Sequence, residues 1–599
     1  ITAAKDLTLE DVYPGIDLRL YSTKDGSLEF DWIIDPGADY SKLSMGFEGQ
    51  DKLKINKDGS LKVGLRFTDL EFHIPESYQV TDHGKVAVDF EFTKTNSNTI
   101  AFKTKSIIDP SFPVVIDPTL VWGSYMDDIV SAPNDFDEYL YAIQLDTLDG
   151  ILYCAGATNR QITTGTSPYD ANGYQNVVTG LTGGTNTGEA TSVVYRINST
   201  GNDLLDLTLY GPATIPNNGT VNAFGLSLSQ NRVFISGMTE LDIPRVGSPF
   251  DNVQNGTDAF VAVFSKDLGT LHYATFLGST GAETQGATCI RAISDTSFIV
   301  GMTANGTLPR TSPNYFPVQA ADTTYGGAGD MYIAKFSGLN NLVWGTYVGG
   351  AQADEFNDLE ILTDGRVAFC GNGASTLTEF NSAAGRSVVI TNLDGIIGVL
   401  NSTGTTFNYL DEIGGAGNDR IQDCEVIGSK LYFTGDVATG FPTSSGAYDV
   451  SFNGGGTDAI IGAVDAAGTT GYIATFYGTT SNDLGNGIKQ VTQSDCGGDS
   501  TTTFLLIWGT VGGTGLPTIN PSGEPFYDAS HNGGTDMFFA GFPNALNTLL
   551  YGTYVGGSDN DYLGNIGDPR GSNQLNVYGS NIYVGTTIHS SSHTPNAIF

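Results

Sequence analysis

Cysteine is scarce, with five in 599 residues: Cys154, Cys289, Cys370, Cys424 and Cys496. So few, so scattered, exclude the disulfide framework that holds small secreted domains together. Cys154 and Cys370 sit at one place in two repeats, GILYCAG and RVAFCGNG, and Cys289 and Cys424 share another. The members of each like pair fall in non-adjacent units, so they read as buried small hydrophobes rather than bridges. Cys496, in SDCGGDS, reads as a free thiol. Basic residues are also thin, 27 Lys and Arg against 65 Asp and Glu, for a formal net charge of −38. An acidic surface repels phosphate, which argues against nucleic acid and anionic lipid as partners and favours cations. No apolar run approaches the ~20 residues of a membrane-crossing helix, so no membrane span is expected. The sequence contains no GxSxG elbow, HExxH, P-loop or dinucleotide fingerprint, and nothing in it speaks positively for an enzyme. It opens at Ile1 rather than Met, which reads as a processed or trimmed start.

Glycine, in contrast, is abundant, 78 of 599, set between short runs of Val, Ile, Thr, Tyr and Phe. That mixture is the composition of an all-β chain with many turns. One phrase recurs: TLVWGSYMDD (119–128), LLDLTLYG (204–211), LHYATFLGSTGAE (271–283), NLVWGTYVGGAQADE (341–355), FNYLDEIGGAGND (407–419), GYIATFYGTTSND (471–483) and LLYGTYVGGSDND (549–561). Aligned on the Thr of GTY, the copies anchor at Ser124, Thr208, Thr275, Thr346, Asp411, Thr475 and Thr553. Seven units of sixty-odd residues point to a repeat architecture in which each unit stacks on its neighbours.

Within a unit, a strand such as DAFVAVF (258–264) leads to the GTY strand. The chain then crosses a GG-x-x-x-D bend to a third strand, and a hairpin takes it to a fourth such as VFISGMT (233–239). Four antiparallel strands, radially repeated, define a propeller blade, so residues 119–599 are read as a seven-bladed β-propeller. The DAFV-type strand is clear only six times, and the missing one is assigned to chain beyond Phe599 or to Phe112–Asp117. Residues 1–118 differ. They carry 13 Lys and Arg against 20 Asp and Glu, a net −7, leaving −31 for the repeats. They alternate strictly at Ile16, Leu18, Leu20, at Leu28, Phe30, Trp32, Ile34, at Leu61, Val63, Leu65, Phe67 and at Val86, Val88, Phe90, Phe92. Asp25-Gly26 and Asp58-Gly59 supply hairpin turns, which makes this an antiparallel β-sandwich-like domain.

Comparison of the copies with one another sorts the candidate site residues. The acids after the bend, Asp128, Glu283, Asp354, Asp419, Asp483 and Asp561, recur in six of seven units. They are read as caps on the N–H groups of the bend, with calcium, which takes carboxylate and carbonyl oxygens, as the rival. None of these loops spells D-x-[DN]-x-[DN]-G, and no cofactor is otherwise implied. His531, His589 and His593 fall in long connections of the last two units, where they would hold zinc if they converged. Recurring Leu-Pro or Phe-Pro elements (Ile243, Leu308, Phe441, Leu516) and the aromatics after them (Phe250, Tyr315, Tyr448, Phe526) read as loop plugs, or else as stacking platforms for sugar. The long fourth connections, 157–191, 238–257, 302–329, 372–393, 436–457 and 510–535, all emerge on one face, the expected contact surface.

The repeated LVWGTYVGG...D, the G-x-T strand, the [FL]-P-T stretch and the GGTDAF return together resemble the SBBP β-propeller repeat proteins of bacteria. DVYPGIDLRLYSTKDGSLEFDWIIDPGAD (11–39) with VVIDPTLVWGSY (114–125) looks like the domain that precedes such repeats, especially in Bacteroidetes. The resemblance implies an exported, secreted or cell-surface protein, of a kind that often ends in a sorting domain for type IX secretion or gliding-associated export. It also implies loose O-glycosylation motifs at Asp146-Thr147-Leu148, Asp322-Thr323-Thr324 and Asp499-Ser500-Thr501. The expected role is non-enzymatic protein binding, as an adhesin or an accessory of a secretion or motility complex. The contact surface would be the long-loop face or the least repetitive sector, units six, seven and one, with extra residues near 127–138 and 490–502. A carbohydrate-binding propeller is the alternative, and a polysaccharide hydrolase or lyase in the funnel the second alternative.

Overall fold

The computed structural model describes residues 6–588 apart from 23–27, 48–49, 51, 56–59, 65–68, 82–83, 122–137, 159–189, 199–203, 215–218, 280, 284–285, 309–314, 318–319, 375–376, 378–391, 467–470, 495–500, 520–528, 532, 557–560, 563–574, 579–580 and 585–586. The first eleven strands are β1 (Asp6–Tyr13), β2 (Ile16–Ser22), β3 (Leu28–Ile34), β4 (Ser44–Gly46), β5 (Lys52–Ile55), β6 (Leu61–Gly64), β7 (Asp69–Thr81), β8 (Gly84–Ala87), β9 (Phe90–Lys94), β10 (Thr99–Thr104) and β11 (Val114–Val121). They form an antiparallel sheet in the order β1-β2-β3-β11-β7-β6-β5, with β8 beside β7, and a smaller sheet β4-β10-β9. Trp32, Ile34 and Ile116 of the large sheet and Phe90, Phe92 and Phe102 of the small one enter a single core, the sandwich that the alternation predicts. Val86 departs from that expectation and is 50% exposed. The run from Val86 to Phe92 is two strands in two sheets, broken at Val88-Asp89, so one alternation does not carry through it. The expected end of the domain at residue 118 also moves, because β11 stays paired with β7 through Val121 opposite Glu71. The first printing of the repeated phrase therefore begins inside this domain.

Six four-stranded antiparallel sheets follow among the described residues, each in simple chain order. The first is β12 (Glu138–Leu145), β13 (Leu152–Thr158), β14 (Thr191–Ile197) and β15 (Leu204–Tyr210); the second is β16 (Val221–Leu228), β17 (Arg232–Thr239), β18 (Asp258–Ser265) and β19 (Leu271–Leu277). The third is β20 (Cys289–Ser294), β21 (Ser297–Ala304), β22 (Asp330–Ser337) and β23 (Asn341–Val348); the fourth is β24 (Asp354–Ile361), β25 (Val367–Gly373), β26 (Asp394–Leu400) and β27 (Phe407–Ile413). The fifth is β28 (Arg420–Ile427), β29 (Lys430–Val437), β30 (Asp458–Asp465) and β31 (Ile473–Tyr477); the sixth is β32 (Asp483–Ser494), β33 (Thr501–Val511), β34 (Asp536–Phe542) and β35 (Tyr551–Val555). Two short pairs close the described chain: β36 (Asp561–Tyr562) with β39 (Thr587–Ile588), and β37 (Leu575–Tyr578) with β38 (Asn581–Val584).

The first strand of each sheet touches the first strand of the next, and β37 touches both β32 and β12, so the seven strands close a ring around an axis. Neighbouring sheets pack face to face. Phe234 and Val261 of the second share a core with Phe298 and Val300 of the third. The structure corrects the phase of the repeat: the GG-x-x-x-D bend lies between sheets, so a sheet runs bend strand, G-x-T strand, DAFV strand, GTY strand. The anchor residue keeps its register in all six sheets, where Thr208, Thr275, Thr346, Asp411, Thr475 and Thr553 pair with Val194, Val261, Ile333, Ile397, Ile461 and Phe539. Ser124 lies outside the described residues.

Candidate functional site

The reason a Thr recurs in GTY is a reciprocal clamp on the long connection. The Thr275 hydroxyl accepts the Asp251 N–H at 2.8 Å and lies 3.1 Å from the Asp251 carbonyl. Thr346 does the same with Asp322, and Thr475 with Asp449. The Tyr hydroxyls of the same strands fix the Leu-Pro elements: Leu308 N–H donates to Tyr347, Leu516 N–H to Tyr554, and Tyr477 donates to the Pro517 carbonyl. Ile243, Leu308, Phe441 and Leu516 are buried. Tyr315 is fully buried and donates to the Asp251 carboxylate, Phe250 stands edge-on to Tyr315 and Phe336, and Tyr448 stands edge-on to Phe542. These three aromatics face inward as plugs; Phe526 lies outside the described residues.

Four of the six acids after the bend can be followed, and each closes its own bend from four residues downstream. The Asp354 carboxylate accepts Gly350 N–H, Asp419 accepts Gly415 N–H, Asp483 accepts Thr479 N–H, and Glu283 accepts the Ser279 hydroxyl. The other oxygens of Asp419 and Asp483 accept Ala438 N–H at 2.7 Å and Gly512 N–H at 3.1 Å, tying the bend to the end of the second strand of the following sheet. This is the capping role. Asp128 lies outside the described residues, and of Asp561 only the backbone, in β36, is described. Among the described residues no group of three or more His, Cys, Asp and Glu is arranged to hold a metal. His531 packs edge-on to Tyr554, while His589 and His593 lie outside the described residues.

The sequence reading passed over a second set of acids. The third strand of five sheets opens with a buried Asp: Asp258, Asp330, Asp394, Asp458 and Asp536. The backbone places each of the first four beside a bend acid, because Glu283, Asp354, Asp419 and Asp483 each donate their own N–H to the carbonyl just before it, on Thr257, Gly329, Leu393 and Thr457. A Cβ on the first bend glycine would strike these carboxylates, at 2.4 Å for Gly278 on Asp258, 2.7 Å for Gly349 on Asp330 and 2.1 Å for Gly414 on Asp394. Glycine at that position is thus a requirement of close approach. Burial raises these acids above the ordinary carboxylate range: Asp258, Asp330, Asp419 and Asp483 to about 6, Glu283, Asp394 and Asp458 to about 7. The recurring Asp of GGTDAF was the signal available in the sequence.

Unlike charges meet on the axis. From β20, Arg291 reaches Asp358 at 2.9 Å and Glu360 at 3.1 Å on β24, while Lys489 of β32 reaches Glu425 of β28 at 2.8 Å and Glu360 at 4.0 Å. Cys289 Sγ lies 3.1 Å from the fully buried Asp358 carboxylate, which is also 3.9 Å from Cys424 Sγ. Burial would push Glu360 up, but Arg291 and Lys489 hold it below its ordinary value. Burial keeps Glu425 raised in spite of Lys489. Burial and the neighbouring Asp358 push Asp423 well up, and it accepts Ile488 N–H at 2.8 Å. The four described cysteines are buried free thiols, as the like-pair argument predicts; Cys496 lies outside the described residues.

Residues 1–119 match a family described as "Domain of unknown function (DUF7948)". No curated protein matches the chain. Among solved structures it is similar at 9% identity to an acylaminoacyl peptidase in complex with a chloromethyl ketone, TM-score 0.24, covering 83% of this chain and 56% of that one. It is also similar at 9% identity to a puromycin-hydrolysing peptidase of Mycobacterium tuberculosis, TM-score 0.26, covering 87% and 58%. A third is a GH43 β-xylosidase/α-arabinofuranosidase from a compost microbial metagenome, at 9% identity and TM-score 0.21, covering 47% and 83%. The chain therefore spans little more than half the length of the two peptidases. Likeness at this level carries no argument about activity. Among the described residues no helix is long and apolar enough to cross a membrane.

Proposed function

We propose that this chain is a non-enzymatic, secreted or cell-surface propeller that binds another protein, as an adhesin or an accessory of a type IX secretion or gliding-type complex. The observation that carries the reading is the distribution of exposed aliphatic side chains. Val246, Val253, Val450 and Ile519 are exposed at 36%, 58%, 50% and 42%, and all four stand on the long connections of the second, fifth and sixth sheets. Exposed aliphatic groups carried on the long connections fit a protein partner. The groups that a catalytic reading would need are engaged within the scaffold: the bend acids accept backbone N–H groups, and both axial cations are paired with carboxylates. The sugar-binding alternative needs outward aromatics, and Phe250, Tyr315 and Tyr448 pack inward.

The test is chemical cross-linking of the tagged protein on cells of its native host, followed by identification of the cross-linked species. Val253→Asp with Val450→Asp should remove the partner, and Leu148→Asp, at an exposed hairpin tip on the opposite face, should not. Equal cross-linking by all three proteins would end this reading.

A further inference from the structure

Four junctions between sheets repeat one arrangement: an Asp opening a third strand and a bend acid at or ahead of the next sheet's first strand, both buried and joined through adjacent backbone. In each pair the third-strand Asp carries an oxygen with no hydrogen-bond partner. These are Oδ1 of Asp258, Asp330 and Asp458 and both carboxylate oxygens of Asp394, along with Oε2 of Glu283. An unpaired buried carboxylate oxygen is costly, so something satisfies it. A calcium ion needs six to eight oxygens at about 2.3–2.6 Å. Two carboxylates fall short of that number, and among the described residues no group of three or more His, Cys, Asp and Glu converges to hold a metal. A proton needs no space. On the third-strand Asp it becomes a donor to the neighbouring acid, and one carboxyl then satisfies the other.

We propose that the junctions Asp258–Glu283, Asp394–Asp419 and Asp458–Asp483 each close around a shared proton, so that the propeller tightens as the medium acidifies from about pH 8 toward pH 5 and loosens as it turns alkaline. The surroundings reinforce this. Asp258 faces Glu283 and Asp251, with Arg245 beyond Asp251; Asp458 faces Asp483 and Asp449, with His531 near Asp483. Asp394 faces Asp419 and Glu412, and Asp419 faces Asp436, which Arg420 and Gln422 engage; Asp330 faces Asp322. Anions outnumber cations at every junction. Groups whose affinity for protons is higher in the folded than in the unfolded chain contribute fully below the unfolded carboxylate pKa near 4, and lose that contribution as pH rises through 6 to 7. Acids held low, such as Asp295, Asp364 and Glu360, act oppositely, in a window below pH 4 that does not overlap.

The experiment is equilibrium unfolding of the intact chain from pH 8 to pH 5 at fixed ionic strength, with and without EDTA or added calcium, for the natural protein and for Asp458→Asn and Asp258→Asn. The expected result is an unfolding constant that falls on acidification about tenfold per pH unit for each proton taken up, about one per junction. Each Asn variant should lose about one proton of that slope. Should a variant fail to fold, the infrared carbonyl band of protonated carboxyls in the natural protein at pH 6.5, expected to be present folded and absent unfolded, decides the matter. A stability that is flat or falls toward pH 5, the absence of that band, or a pH response abolished by calcium and restored by EDTA would each overturn the proposal.

Discussion

At the scale of residues, the repeated phrase is a set of fastenings. Thr275, Thr346 and Thr475 do not line anything; each holds the long connection of its own sheet down by two bonds to one backbone residue. Thr275→Val keeps the shape and leaves the buried Asp251 N–H without an acceptor, so a loss of about 1–3 kcal/mol is expected in urea unfolding. The bend glycine is fixed by the carboxylate beside it. Gly414→Ala would place a Cβ 2.1 Å from Asp394 Oδ1, and the expected loss is about 1–3 kcal/mol, as for other overpacked sites. Replacement of Asp394 by Gly in the same chain should recover part of that loss, measured as a double-mutant cycle.

At the scale of elements, inner strands are stitched sideways to one another. Gln144 accepts Leu228 N–H across β12 and β16, Ser227 accepts Ala292 N–H across β16 and β20, and Asn357 donates to the Ile421 carbonyl across β24 and β28. The charged half of this belt is the more exacting. Arg291→Met would leave Asp358, buried completely, without its cation, and a loss of about 3–5 kcal/mol is expected, whereas Arg291→Lys should recover part of it in the same unfolding assay. The sixth sheet has the longest first hairpin, with β32 and β33 paired out to Ser494 opposite Thr501. Of the segment 490–502, read from the sequence as extra residues, 490–494 and 501–502 belong to this ladder and 495–500 lie outside the described residues; Val491 is packed against Leu506 and Trp508. Its removal would therefore cost stability as well as any contact.

Much of this order was legible in the residues because a repeat prints its fastenings many times. The Thr register, the loop plugs and the alternation of Trp32, Ile34, Phe90 and Phe92 all follow from local spacing. What was hidden is what spacing cannot encode. A cyclic order of four strands has no marked beginning, so the sheet boundary at the bend could not be placed until the backbone showed β15 and β16 in different sheets. The meeting of Asp458 with Asp483 depends on a bond between Asp483 N–H and the Thr457 carbonyl. Arg291 and Lys489 were hidden for the opposite reason: Glu360 and Glu425 hold equivalent places in β24 and β28, but the cations that meet them stand on β20 and β32, and only the ring brings the four together.

At the scale of the whole molecule, the first strands of the described sheets form the ring. Six described sheets have four strands, and the position between the sixth and the first holds the pair β37 and β38. Native-state hydrogen exchange should find the highest opening free energy in the second sheet, whose strands bury most of their side chains, and a lower one in β20, whose last two residues are exposed. Uniform protection around the ring would contradict that expectation. The bend acids have a different consequence, one of ancestry. Each bend is formed by the end of one sheet and closed by the opening residue of the next, so a gene segment copied between long connections would encode the outer half of one sheet and the inner half of its successor. Such a copy has no complete sheet of its own and becomes folded only by splicing into both neighbours. A lineage that grows in this way adds members already interlocked, and it cannot shed one without exposing two.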